Sequence, residues 1–335
     1  MKNNKIRIGV VGTNFITDWV IAGGREDERF ELAAVCSRKE ETARQFALKH
    51  HIPHTFTSLE AMAESPLIDA VYIASPNVCH AAQSILCMER GKHVLCEKAF
   101  ASNAAEVREM IKTAKRQNVV LMEAMKPTLT PGFRAVQQSL ERIGAVRQYF
   151  ACYCQYSSRY DKLKEGVILN AFNPALSNGA VMDIGVYTIY PMVVLFGRPQ
   201  TIHAIGLKLY SGVDGHGNVH FSYDNGLYAT VLYSKTADSR LPTEIQGEDG
   251  LITLDRINII SQATLTRRKD GAKENLMPPT GKNEYYYEIA EFFDLIQSGQ
   301  KESAVNSLEN SLITLEIIDE IRRQLGVVFP ADKKE

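Results

Sequence analysis

The chain of 335 residues is long enough for two domains of about 100–200 residues each and too long for a disulfide miniprotein. Hydrophobic residues make up 45%, and 38 basic residues nearly cancel 39 acidic ones, for a net charge of −1. Proteins that live on nucleic acid or anionic lipid carry a basic excess, so neither is an expected partner and small-molecule chemistry is left.

The most apolar stretch, Val186 to Phe196, falls short of the ~20 residues a bilayer span needs and contains Pro191, so no membrane helix is expected. The polar start, Met1 to Lys5, runs into Ile6-Arg7-Ile8-Gly9 with no leader-like apolar core, and a cytoplasmic protein is the expectation. Cys36, Cys79, Cys87 and Cys96 sit in apolar segments, as small hydrophobes do. Cys152 and Cys154 would share one strand face but lack companion histidine spacing, so no metal site is expected. The cluster His50, His51, His54 reads as a solvated turn.

In chain order, short apolar runs alternate with amphipathic segments, the rhythm of a parallel sheet wrapped by helices. Strands are predicted at Ile6 to Val11, Leu32 to Cys36, Ala70 to Ala74, His93 to Cys96 and Val119 to Glu123. Capping boxes at Ser37 to Glu40, Thr57 to Glu60 and Asn103 to Glu106 mark helix starts. After Glu123, Pro127 and Pro131 flank a connector. Alternating segments follow at Ala145 to Tyr156, Thr201 to Tyr210, Val219 to Tyr223, Leu227 to Ser234, Thr243 to Gly247 and Leu251 to Ile260. Turn signals such as Asp224-Asn225-Gly226 make the later strands antiparallel. Helical patterns recur at Gly179 to Phe196, Glu284 to Gln297 and Ser307 to Leu325. The expected division is a doubly wound parallel α/β domain over residues 1–125 and, over residues 126–335, an α+β domain for substrate binding and oligomerisation. Its large, mostly antiparallel sheet would leave one face open. Such faces commonly bury themselves against a copy of the same chain, so a homodimer or homotetramer is expected.

The first strand runs into Gly12-Thr13-Asn14-Phe15-Ile16-Thr17 at a helix start. That is the place of the G-x-G-x-x-G loop, whose backbone N–H groups receive a dinucleotide pyrophosphate. Only Gly12 is kept; Asn14 and Thr17 stand at the second and third glycine positions, and on the loop alone a plain strand-to-helix turn reads as well. At the end of the second strand, Ser37 and Arg38 stand where an NAD site places an acid, and Arg38 can fork onto a 2′-phosphate. NADP(H) is therefore favoured, with NAD(H) the alternative. The competing reading makes Ser37 a helix cap and Arg38 and Lys39 solvated charges, although the helix dipole favours acids there.

Asp69-Ala70-Val71-Tyr72-Ile73-Ala74-Ser75-Pro76-Asn77-Val78-Cys79-His80, followed by Gly91-Lys92-His93-Val94-Leu95-Cys96-Glu97-Lys98-Ala99, resembles the Gfo/Idh/MocA oxidoreductases. Leu121-Met122-Glu123-Ala124 and Gly179 to Tyr187 extend the resemblance. It implies a Rossmann domain followed by an open-sheet domain. It also implies that Gly12, Asn14, Phe15, Ile16, Ser37, Arg38, Ser75, Asn77, His80, Glu97 and Lys98 serve the cofactor, Glu97 at the nicotinamide ribose and Lys98 between nicotinamide and substrate. Asp183 and Tyr187 match the family's D-x-x-x-H/Y, in the tyrosine form of its dihydrodiol dehydrogenase-like and glucose-fructose oxidoreductase-like branch. The chain departs from the family at Asn14, at Ala99 in place of proline, and at Tyr187 in place of histidine.

Moving a hydride to or from a carbonyl carbon builds charge on its oxygen, so a cation and a proton donor must converge there. Asp183 and Tyr187, four apart on a predicted helix, share a face. A lysine ammonium near a phenol lowers its pKa from about 10 toward working pH. Lys98, Asp183 and Tyr187 are accordingly the expected catalytic residues, and with Asn173 the expected substrate contacts. Tyr153, Tyr156, Arg159, Tyr160 and Asn170 could line a polyol cleft, and Tyr285-Tyr286-Tyr287 suits helix packing or an oligomer contact. The expected function is an NADP(H)-dependent oxidoreductase acting on a sugar, polyol or related small carbonyl or alcohol. A nicotinamide-dependent glycoside-cleaving enzyme and a non-catalytic cofactor-sensing regulator are the alternatives.

Overall fold

The computed structural model describes residues 5–279 and 281–333. From the start of the chain, β1 (Ile6–Val11), α1 (Phe15–Gly24), β2 (Phe30–Cys36), α2 (Glu40–His50), β3 (His54–Phe56), α3 (Leu59–Glu64), β4 (Ala70–Ile73), α4 (Asn77–Glu89), β5 (His93–Glu97), α5 (Ala104–Gln117) and β6 (Leu121–Ala124) alternate. The six strands pair in parallel in the order β3-β2-β1-β4-β5-β6. Apolar residues such as Val10, Val35, Val71, Ile73 and Val94 are buried along them, as a sheet covered on both faces requires. The order in which strands are added reverses between β1 and β4, and in such sheets the crevice at the carboxyl ends of those strands receives ligands.

The later elements are α6 (Pro131–Gln138), β7 (Val146–Cys154), α7 (Ser158–Lys164), α8 (Val186–Phe196), β8 (Thr201–Lys208), β9 (Asp214–Ser222), β10 (Tyr228–Ser234), β11 (Thr243–Gly247), β12 (Gly250–Leu254), β13 (Ala263–Arg267), β14 (Lys273–Asn275), α9 (Tyr286–Ser298) and α10 (Leu308–Leu325). Eight strands form the second sheet, in the order β14-β13-β12-β11-β7-β10-β9-β8. All its pairings are antiparallel except that of β10 with β7. One face lies under α8: Tyr149 of β7 donates to the Thr188 carbonyl at 3.1 Å, and its ring meets Phe196 edge-on. Within Pro174–Phe196 a short 3-10 turn, Pro174–Leu176, precedes helical structure that is unbroken from Ala180 to Phe196, close to the start at Gly179 that the pattern predicts. Length and composition alone would suit a bilayer span, but 72% of its most apolar stretch is buried inside the protein. It is the core helix of the large sheet.

Two compact units result, one reaching Lys126 and taking in Gly281–Ser311, the other beginning at Pro127 and resuming at Leu312. A single cut near residue 125 therefore needs correction, because α9 belongs to the first unit. The reason is apolar packing: Phe293 stacks near Phe30, Arg29 lies over the Phe293 ring and pairs with Asp294 at 2.6 Å, and Tyr285 meets Trp19.

Other differences are local. The strands β3, β13 and β14 were not anticipated; β3 and β14 are three residues each at sheet edges, and β14 is fully exposed. The strand from Leu251 ends at Leu254, where Asp255 accepts from the Ser261 and Gln262 amides to turn the chain. Asn103 caps α5 as expected, accepting from the Glu106 amide. Ser58 rather than Thr57 caps α3. Lys39 precedes α2 with no side-chain cap, so Ser37 is not the cap. His50 is buried, not solvated, with Nε2 on Asp18 at 2.6 Å and its ring against Phe46.

Gly23 of α1 lies so close to α9 that a Cβ would sit 2.7 Å from Tyr285 Cβ and 2.8 Å from its carbonyl carbon. Gly23→Ala is expected to lower stability by about 1–3 kcal/mol through overpacking, read as a reduced urea midpoint. An unchanged midpoint would show that α9 does not pack there.

Candidate active site

In the first unit, the turn after β1 is set by Gly12, whose φ of +104° and position 2.5 Å from the Ala74 carbonyl oxygen, measured from a would-be Cβ, exclude any side chain. Asn14 is not in the left-handed region that a glycine position would suggest: its φ is −94° and ψ 176°. Its Oδ1 accepts from the Ile16 and Thr17 amides at 2.9 and 3.3 Å, capping α1, and its Nδ2 donates to the Ala74 carbonyl at 2.9 Å. Asn14 thus ties the β1 turn to the β4 turn across the topological reversal. Thr17 is fully buried, and its hydroxyl donates to the Gly12 carbonyl at 3.0 Å. Phe15 is half exposed beside Trp19.

At the end of β2, Ser37 is half-buried and Arg38 exposed, just before an uncapped helix N-terminus. Burial raises the Cys79 thiol, and the Arg38 charge opposes it, so the guanidinium field reaches the first turn of α4. Gly12, Asn14, Arg38 and Ser75 therefore belong to turns at the carboxyl ends of β1, β2 and β4, where a dinucleotide fits: close backbone approach for the pyrophosphate and a cation without an acid for a 2′-phosphate. Ser75 donates its hydroxyl to Gln83 at 2.7 Å, and Asn77 opens α4 in a buried position. His80 lies beneath the crevice instead of at its surface. It is fully buried, with Nδ1 2.9 Å from the Ala99 carbonyl oxygen and Nε2 2.8 Å from that of Ser75. Its part is to hold these two turns together. The Lys98–Ala99 peptide is cis.

The first unit also holds a group of buried acids, of which the sequence pointed to Glu97 but not to Glu123 or Glu288 as site residues. Tyr72 donates to Glu97 Oε1 at 2.6 Å. Burial raises Glu97, with the Lys98 ammonium the main opposing charge. Burial pushes Glu123 up to about 8, and neither of its carboxyl oxygens has a hydrogen-bond partner among the described residues. Glu288, brought back by α9, is 1% exposed, and neither carboxyl oxygen has a hydrogen-bond partner among the described residues. Burial and then the Glu97 charge hold it well above the usual carboxylate range. Lys126 offsets this, paired with Glu284 at 2.6 Å over the Tyr285 ring. The Glu97 charge adds to burial in raising both Glu123 and Glu288.

In the second unit, Asp183 lies in a π-helical turn, Val181–Gly185, and Tyr187 in the first turn of α8; such wide turns often mark functional positions. Two residues absent from the sequence expectations fix this segment. Asp214, fully buried, accepts from the Ala180 and Val181 amides at 3.1 and 2.7 Å. Gly179 makes room, since a Cβ there would lie 2.4 Å from Asp214 Oδ1. Lys235, at the end of β10, pairs with Asp183. A buried cation after an apolar strand was the available signal. Tyr187 meets Tyr153 edge-on with ring centroids 5.7 Å apart. Asn173 caps the turn at Pro174, accepting from the Ala175 amide. Tyr156 is engaged with Asp161, Lys164 and the Tyr160 ring, and Tyr160 with Phe172, so these two serve a local cluster around α7.

A dinucleotide crevice in one unit and an aspartate–tyrosine helix in the other define a nicotinamide-dependent oxidoreductase. Residues 6–125 match the oxidoreductase family with an NAD-binding Rossmann fold, and residues 133–253 match the GFO/IDH/MocA C-terminal domain. The chain belongs to the Gfo/Idh/MocA family. It is 51% identical over 328 residues to scyllo-inositol 2-dehydrogenase (NADP(+)) of Bacillus subtilis strain 168, covering 98% of this chain and 99% of the relative. It is 30% identical to trans-1,2-dihydrobenzene-1,2-diol dehydrogenase of Macaca fascicularis, covering 98% and 99%. Among solved structures it resembles a 3-ketoreductase of Actinomadura kijaniata, in complex with NADP and TDP-benzene, at a TM-score of 0.83 and 22% identity, covering 96% and 98% of the two chains.

Glu123 gives a pH prediction. Its folded value of about 8 lies above its ordinary 4.5, so the folded state holds a proton that the unfolded chain releases. The stability gained from that proton is full below about 4.5 and is lost as pH rises through about 8. Glu123→Gln, neutral throughout, is expected to flatten this decline in urea midpoints measured across the range. A decline as steep in the variant would assign it elsewhere.

Proposed function

We propose that the protein oxidises a secondary alcohol of a small polyol, or reduces the corresponding ketone, with NADP(H) as the hydride partner. The observation that carries this reading is the accessible Asp183 carboxylate, one helical turn before Tyr187 on a segment fixed by Asp214 and Lys235. The identity to an NADP(+)-dependent scyllo-inositol dehydrogenase makes a cyclic polyol the preferred substrate class.

The nicotinamide, when bound, accepts or supplies the hydride. Gly12, Asn14, Phe15 and Ile16 would serve the pyrophosphate and Ser37 with Arg38 the 2′-phosphate. Ser75, Asn77 and Glu97 would serve the remainder of the cofactor. In the oxidative direction Tyr187 Oη takes the hydroxyl proton as the C–H bond breaks; in the reductive direction it returns that proton to the carbonyl oxygen. The Lys98 ammonium stabilises the negative charge that collects on this oxygen. Asp183 accepts a hydrogen bond from a substrate hydroxyl, and Asn173 adds a polar contact. The same reading has the enzyme working in the cytoplasm as a homodimer or homotetramer. The uncovered face of the large sheet supports self-association: Ile205 of β8 is 67% exposed and Tyr228 of β10 is 63% exposed.

Two measurements test the reading. Arg38→Ala is expected to weaken NADPH binding by roughly 10–100-fold, as loss of a charge-assisted contact of about 1.5–3 kcal/mol implies, while NADH binding changes little. Equal losses in calorimetry would remove the 2′-phosphate assignment. Tyr187→Phe and Lys98→Met are each expected to lower kcat on scyllo-inositol by about 10²–10⁴-fold with NADPH affinity retained. Wild-type kcat in either variant would refute its assigned role.

A further inference from the structure

We propose that Lys235 is a positioning residue for the reaction: from inside the second unit it holds Asp183 as an oriented carboxylate facing the substrate. The proposal rests on the reading above and adds to it a residue outside the expected catalytic set. The Lys235 side chain is 4% exposed, whereas that of Asp183 is 31% exposed. The ammonium therefore stands behind the carboxylate, and Asp183 presents an accessible side. An ammonium taken out of water costs several kcal/mol unless it is paired, so the Asp183 contact accounts for the burial of Lys235. Its Nζ also lies 5.4 Å from the centroid of the Phe172 ring, which packs the side chain from a second direction.

The backbone beneath it is equally fixed. The Lys235 amide donates to the Gly215 carbonyl at 2.8 Å, and its own carbonyl accepts from Ser157 at 3.0 Å. It follows β10, which is paired on both sides, with β9 and with β7. Asp214, at the start of β9, holds the amides two and three residues before Asp183. One end of the sheet, where β9 begins and β10 ends, thus grips the π-turn segment twice, at its amides through Asp214 and at its carboxylate through Lys235. A carboxylate has about four acceptor positions, and the pairing with Lys235 fixes where they point.

The test is a double-mutant cycle on the full chain with scyllo-inositol and NADP⁺, combining Lys235→Met with Asp183→Asn. Lys235→Met is expected to raise KM at least tenfold and to leave the NADPH dissociation constant within twofold of wild type. Lys235→Arg is expected to recover most of the loss. In the Asp183→Asn background, Lys235→Met should cost no more than a further twofold, because the partner is already gone. Losses that multiply across the cycle, a parallel loss of NADPH binding, or unchanged KM would each overturn the proposal. If Lys235→Met folds only together with Asp183→Asn, the unpaired carboxylate is the cause and the pairing stands; failure to fold in both backgrounds overturns it. Wild-type protein that exchanges no hydride with the polyol would defeat the functional reading instead. The same cycle read on urea midpoints still decides the pairing, since additive midpoints mean that the two groups do not pair.

Discussion

The close approach of Gly12 to the Ala74 carbonyl is the constraint on which the cofactor site depends. With no room for a Cβ and a backbone dihedral that only glycine adopts readily, β1 can turn directly against β4 at the point where strand order reverses. Asn14 then spans the same two turns with its side chain, using its oxygen on α1 and its nitrogen on Ala74. What looks like a damaged glycine loop is a tied one. The second glycine is dispensable because the backbone there is extended, and the third because the Thr17 hydroxyl finds its acceptor one turn back, at Gly12.

Electrostatics follow a different plan in each unit. The first unit buries Glu97, Glu123 and Glu288 with Tyr72, and burial raises all three carboxyl groups above their ordinary range. In the second unit each acid has a defined partner: Lys235 pairs with Asp183, and Asp214 accepts from two backbone amides. The first arrangement gathers raised carboxyl groups beside a half-buried lysine, and the second fixes the direction of an accessible aspartate.

Much of this was legible in sequence because the signals were local. The strand from Ile6 to Val11 and the cap at Asn103 depend on neighbours within a few residues, and β1 and α5 fall where they were expected. Other features depend on residues far apart in the chain. Glu288 joins the acids around Lys98 only because α9 returns to the first unit, and Lys235 meets Asp183 only because β10 ends beside the π-turn. Neither has a spacing signature. His50 and His80 show the same limit: a histidine in a polar string or after a strand reads as solvated or ligand-facing until its packing partners, Phe46 and two backbone carbonyls, are known.

Transfer of a hydride between a polyol carbon and NADP⁺ is the central claim, and isotope transfer tests it most directly. With scyllo-inositol deuterated on its ring carbons and NADP⁺ as acceptor, the account predicts one deuterium per turnover in the reduced nicotinamide and a slower reaction than with unlabelled substrate. Deuterium recovered in solvent, or a cofactor that is never reduced, would contradict it.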